Sequence, residues 1–244
     1  MAESQSGGFG KRAWAMLNQV SKGWVTPSRR AESERYRVLL VHAHPLGDKS
    51  YSGALADAVQ RGLKEAGHSV STLSLYSEKF QPALTYDEKD RYLKDGKYPK
   101  ASRDVQKSVD ELKKCDALVF VYPTWWMNVP GILKGWLDRS FLPGVAFKIP
   151  ALEPPEEKEK AIAGLIPGLP NIKKIGIVST FGSSRPLVFL AGDNGLNMFS
   201  RCILPLCNPN CTLQWNGFFE IDAKTPQQRA DFIEHVKTIY KDEF

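Results

Sequence analysis

The chain of 244 residues has only four cysteines, at uneven spacing. That is no disulfide framework in a protein long enough to build its own core, so a reduced, intracellular protein is expected. Long hydrophobic runs are also missing. The longest, residues 38–43 and 117–122, are far too short to cross a bilayer as a helix. The first ten residues are polar and include Glu3, unlike a secretory signal. There is no Walker A loop and no G-x-G-x-x-G turn, so ATP hydrolysis and the usual nicotinamide fingerprint both lack support.

No block of lysine and arginine stands out. The net charge is +6 and the pI near 9.0. Residues 1–34 hold five basic and three acidic side chains, and the remaining excess is thin and spread out. No nucleic-acid partner is expected from such a pattern; it suits an anionic small molecule. Hydrophobic residues at 42% and charged residues at 25% are globular proportions.

Residues 1–34 read as an extension, with residues 35–244 as the domain. In the extension Phe9, Ala13, Met16, Leu17, Val20 and Trp24 recur at helical spacing. From Gly10 to Arg30 there are five basic residues and no acidic one. This segment fits a helix docked on the core, a membrane-surface helix or an organelle presequence. The expected compartment is the cytoplasm, with the mitochondrion as the alternative.

From Tyr36 onward strand-like and helix-like stretches alternate. Residues 38–41 and 117–122 are expected as buried strands of a parallel sheet, and 175–180 as a fourth strand. Residues 69–75 alternate enough for an edge strand, and 213–219 make a fifth. Residues 52–66, 104–114 and 131–141 read as helices. Thr225-Pro226 caps a last one running to Tyr240. Residues 76–100 and 142–171 read as a long excursion and a loop insertion. The alternation predicts an α/β doubly wound sheet. Its ligand belongs off the carboxyl ends of the strands, where their order reverses, which selects three loops: 42–52, 123–130 and 181–195.

The first loop places His44, Lys49, Ser50, Tyr51 and Ser52 at a helix start. Backbone N–H groups, hydroxyls and a cation there suit a phosphate, although a polar turn with a capping serine fits too. In the second loop Trp125 and Trp126 end a buried strand, and only one of them can easily enter the core. A planar heteroaromatic ligand, a flavin, offers the other a partner; packing of both rings under the excursion is the alternative.

His44-Pro45, Lys49-Ser50-Tyr51, Tyr122-Pro123-Thr124-Trp125-Trp126 and the run from Pro130 through Ile132-Leu133-Lys134-Gly135-Trp136 to Arg139 resemble the NAD(P)H:quinone oxidoreductases of flavodoxin-like fold. DT-diaphorase is in that group, and the bacterial branch is nearest, since residues 143–147 also match. The likeness covers residues 37–241. It implies a flavodoxin-like five-stranded sheet of order 2-1-3-4-5 and a homodimer with a noncovalent flavin at each active site near the subunit interface. His44, Lys49, Ser50, Tyr51 and Ser52 are then expected to hold the flavin phosphates. Pro123, Thr124, Trp125, Trp126 and Met127 are expected along the isoalloxazine, and Thr180, Phe181 and Gly182 at its pyrimidine side. The implied reaction is a ping-pong exchange, with NADH or NADPH as donor and a quinone as two-electron acceptor. FAD is the expected flavin and FMN the alternative.

DT-diaphorase carries a tyrosine and a histidine in its third loop. Here residues 181–195 contain neither and offer Ser183, Ser184, Arg185, Asp193 and Asn194. Trp126 and Arg185 are the catalytic candidates, Arg185 as a cation near reduced flavin or a nucleotide phosphate. The spacing of Cys202, Cys207 and Cys211 misses that of structural zinc, and no metal is expected. His68 and His235 read as packing or surface residues. Competing functions are a one-electron flavodoxin-type carrier and a flavin-binding regulatory or partner-docking subunit.

Overall fold

Unbroken apolar runs flanked by charge dictate the centre of the molecule. The computed structural model describes residues 34–244; the amphipathic stretch at residues 9–24 lies outside them. β1 (Arg37–His42) leads through a tight loop to α1 (Tyr51–Glu65), then β2 (Ser69–Ser74). The excursion holds α2 (Tyr86–Arg91), followed by α3 (Gln106–Lys114), β3 (Ala117–Pro123) and α4 (Gly131–Ser140). The insertion carries a short antiparallel pair, β4 (Phe147–Lys148) with β5 (Ile166–Pro167). β6 (Lys174–Thr180), α5 (Arg185–Leu190), β7 (Thr212–Phe218) and α6 (Pro226–Asp242) complete the main elements.

The parallel sheet runs β2-β1-β3-β6-β7, the expected order. Every residue of β3 and β6 is buried, as central parallel strands require, whereas β2 at the edge is largely exposed. On one face Leu39, Phe120 and Ile177 pack with Trp136 of α4 and Phe199. On the other, Leu40, Val119 and Val178 meet Leu55, Val59 and Leu63 of α1 and Val236 and Tyr240 of α6. Gly62 lets α1 and α6 approach closely, because a Cβ there would lie 2.4 Å from the Lys237 carbonyl oxygen.

Three stretches read as loops contain helices, the insertion at Pro155–Lys158 among them. In the excursion, Thr85 and Glu88 form a capping box that starts α2. In the third loop, Pro186 in the first turn of α5 suits a helix start. No helix among the described residues is long and apolar enough to cross a membrane.

Candidate functional site

Three loops leave the carboxyl ends of β1, β3 and β6 and meet one another. After β1 the chain turns through Gly47, whose φ of 52° is left-handed, and reaches Ser50. The Ser50 hydroxyl donates to the Gly47 carbonyl at 2.7 Å and accepts from the Gly53 N–H at 2.9 Å. Ser50 is thus the N-cap of α1. Replacing it with alanine is expected to cost about 1 kcal/mol, read as a lower midpoint in thermal unfolding.

Capping occupies the Ser50 hydroxyl. The Tyr51 hydroxyl is occupied too: it donates to the Arg229 carbonyl at 2.8 Å, and its ring stacks on Phe218. Burial pushes that phenol up to about 12. What Tyr51 and Ser52 offer an anion is therefore the first-turn N–H groups of α1, which no helix carbonyl can reach. Lys49 is exposed beside them, while the Ser52 side chain is buried. Sequence reading missed Arg229, which stands next to Tyr51. It donates to the Ile221 carbonyl at 2.9 Å, and its Nε is buried without a hydrogen-bond partner. Its position near the start of a capped helix was the only available signal.

His44 accepts the Leu46 N–H at Nδ1, 3.1 Å away. Burial lowers its pKa and so favours the neutral ring, in which an accepting Nδ1 puts the proton on Nε2. That leaves an N–H donor at the mouth of the first loop. His44 lies 6.4 Å, ring centre to ring centre, from Trp125, which links the first loop to the second.

The second loop corrects one expectation: neither tryptophan enters the core. Trp125 is 40% exposed and Trp126 is 100% exposed. The space beneath is already filled by Phe120, Tyr122, Trp136 and Phe199. The chain reverses instead between Trp125 and Asn128, which exchange backbone hydrogen bonds of 3.0 Å in both directions. The central residues are Trp126 (φ 49°) and Met127 (φ 56°). Asn-Gly is the usual pair in such a turn; for larger side chains left-handed backbone costs roughly 1–2 kcal/mol per residue. Strain of this kind persists where the surroundings hold it, and it concentrates at functional sites.

The second and third loops are joined by hydrogen bonds. The Thr124 N–H donates to the Thr180 carbonyl at 2.7 Å, and the Thr124 and Ser179 hydroxyls are 2.8 Å apart. Thr180 and Phe181 are buried and Gly182 is exposed. Phe181 stacks on Phe219 at 4.6 Å, and a Cβ on Gly182 would sit 3.2 Å from the Asp222 carboxylate. Arg185 is not a free cation in the site. It pairs with Asp193 at 2.5 Å and lies over the Phe219 ring at 5.5 Å, both contacts within the third loop and its support.

Residues set aside earlier sit elsewhere. His68 is buried and accepts the Tyr36 N–H, and His235 is exposed. Cys115, Cys207 and Cys211 are buried and Cys202 is exposed. The structure thus brings His44, Trp125, Trp126, Met127, Thr124 and Thr180 around one surface beside the start of α1.

Comparison with known proteins places the fold. A family model described as flavodoxin-like fold matches residues 36–198. An uncharacterized NAD(P)H oxidoreductase of Escherichia coli, YcaK, is 38% identical over 112 residues, covering 46% of this chain and 55% of that protein. The chain thus spans about half the length of that relative. Rat ribosyldihydronicotinamide dehydrogenase [quinone] is 27% identical over 233 residues, covering 85% of this chain and 93% of the relative. Among solved structures, an FMN-dependent NADH-azoreductase of Bacillus anthracis in complex with FMN superposes with a TM-score of 0.64 at 16% identity, covering 84% of this chain and 97% of the other. The chain belongs to the flavodoxin-like fold family, and its sequence is similar to NAD(P)H and quinone oxidoreductases.

Proposed function

We infer that the protein is a flavin-dependent NAD(P)H oxidoreductase that reduces quinones or similar two-electron acceptors in a ping-pong cycle. The observation that carries this reading is the fully exposed Trp126 ring, held in a left-handed turn next to Trp125, whose ring faces His44 of the loop that leads into α1. An apolar ring kept in water, on a turn that meets the loop into an anion-binding helix start, suits a ligand that is planar at one end and phosphorylated at the other. Gly182, lacking a side chain, leaves the backbone of the third loop accessible to the polar edge of such a ring.

In this reading the first-turn N–H groups of Tyr51 and Ser52, with Lys49, hold the flavin phosphate. The His44 Nε2–H donates to the flavin or its phosphate tail. The backbone from Pro123 to Met127 lies along the isoalloxazine, and Thr180 to Gly182 meets the pyrimidine edge. A flavin held there would supply hydride acceptance from the nicotinamide and two-electron transfer to the acceptor. The protein orients the ring and offers N–H dipoles where negative charge develops. FAD is favoured by the sequence resemblance to the larger quinone reductases, and FMN by the azoreductase complex. Exposed Leu187, Phe189 and Leu190 near the site support a second copy of the chain covering this face, giving a homodimer. Contact of the basic extension with a membrane surface, and a cytoplasmic or alternatively mitochondrial location, belong to the same proposal.

Anaerobic titration of FMN- or FAD-loaded protein with NADH and with NADPH tests the reaction. The flavin band is expected to bleach with one or both donors and to return on addition of a benzoquinone. A flavin that binds and does not bleach removes the nicotinamide step and leaves a carrier or regulatory subunit.

A further inference from the structure

We propose that Asn194 is a positioning residue that locks the Trp126–Met127 turn in its left-handed form. The inference rests on the reading of that turn as the flavin platform. The Asn194 side-chain amide donates to the Met127 carbonyl and to the Ala191 carbonyl, each at 3.2 Å. This side-chain bond joins the third loop to the carbonyl of left-handed Met127 in the second. Met127 has no glycine-like freedom, so its left-handed backbone needs an external restraint.

The restraint is anchored in turn. Asp193, immediately before it, is buried and left-handed at φ 47°. Arg185 holds its carboxylate while lying over Phe219, which stacks on Phe181. A chain of contacts therefore runs from the Phe181 ring, beside the expected pyrimidine edge, to the Met127 carbonyl, at the expected ring face. Arg185 and Asp193 act through Asn194 in this arrangement. The turn and the third loop are thereby set relative to each other, which a ligand contacting both requires.

Asn194 is exposed, so Asn194→Ala is expected to fold normally. Two readouts separate this proposal from the reading beneath it. In flavin-free full-length protein, amide hydrogen exchange of residues 124–129 is expected to be at least tenfold faster in Asn194→Ala than in wild type. Asn197→Ala removes a neighbouring bond to the Gly192 carbonyl and is expected to leave that segment unchanged. Equal exchange in wild type and Asn194→Ala, or equal loosening by Asn197→Ala, overturns the proposal. In titrations with FMN, Asn194→Ala is expected to bind about tenfold more weakly. In a Met127→Gly background, where the residue whose carbonyl Asn194 holds no longer resists left-handed backbone, the same change is expected to matter less than twofold. A tenfold loss persisting in that background overturns the coupling. Wild type that binds neither FMN nor FAD, with the exchange difference intact, overturns the flavin reading and supports the lock.

Discussion

Arg139→Met is expected to destabilise the protein by about 3–5 kcal/mol, lowering the thermal midpoint by roughly 10 °C. The Arg139 side chain is 3% exposed and serves three segments at once. It pairs with Glu88 of α2 at 2.7 Å and with Asp104 ahead of α3 at 2.8 Å, and it donates to the Gln81 carbonyl. It also lies over the Phe80 ring at 5.5 Å. Methionine fills much of the volume and satisfies none of these partners. Glu88, 10% exposed, is left with its charge largely out of water, and that uncompensated charge is the main part of the penalty. The excursion from Phe80 to Asp104 then loses its ion pairs to α4.

The same network fixes a pH dependence. Burial pushes the Glu88 carboxyl up; the Arg139 guanidinium, the Thr85 N–H and the Ser102 and Thr85 hydroxyls more than offset this and bring it down to about 2, from an ordinary 4.5. A depressed carboxyl stabilises the fold above its unfolded value, and that contribution fades as pH falls from about 4.5 to about 2. Unfolding followed across this window is expected to show a shallower loss in Arg139→Met than in wild type. Parallel curves would assign the acid sensitivity to other carboxylates.

Gly53→Ala is expected to weaken flavin binding by about a hundredfold, roughly 2.7 kcal/mol. Gly53 lies in the first turn of α1, directly under the turn that follows β1. A Cβ there would sit 2.5 Å from the Gly47 carbonyl oxygen and 2.7 Å from the Asp48 Cα. Both are backbone atoms, so the loop must move outward. The Ser50 cap, which grips the Gly47 carbonyl and the Gly53 N–H, is broken by that movement. The N–H groups proposed to receive the phosphate then lose their common aim. Overpacking also costs about 1–3 kcal/mol in stability, so affinity is to be compared at a temperature where both proteins are folded. Gly131→Ala is the control. Gly131 opens α4, a Cβ there meets nothing within 4 Å, and flavin affinity is expected to stay unchanged. A Gly53→Ala protein that binds flavin like wild type would place the phosphate elsewhere.

Much of the architecture is legible in local pattern. Residues 38–41 and 117–122 are apolar without alternation, and a run of that length without periodicity belongs to a strand covered on both faces. Thr225-Pro226 announces α6 through the capping hydroxyl and the fixed φ of proline. Thr85-x-x-Glu88 carries the same kind of signal for α2, obscured by the surrounding charged, aperiodic residues. The three loops could be chosen because the reversal of strand order follows from chain handedness and connection length.

Side-chain orientation was not legible to the same degree. The two tryptophans identify a special loop, but whether either ring enters the core depends on Phe199 and Trp136 having already filled the space below. Trp126-Met127 contains neither glycine nor asparagine, so no local preference marks its left-handed backbone.

Composition and periodicity were sufficient for the class of fold, the sheet centre and the loops where a ligand can sit, because these depend on burial and on neighbours a few residues away. The roles of particular groups depend on partners far along the chain. Tyr51 gives its hydroxyl to a carbonyl 178 residues on, and Arg139 joins Glu88 and Asp104 across separations of 51 and 35. Arg185 reads in isolation as a free cation and is folded onto Asp193. A hydrogen bond or ion pair needs atoms within about 3 Å of each other at a suitable angle, and for groups this far apart in sequence the assembled layers of sheet and helix set that geometry.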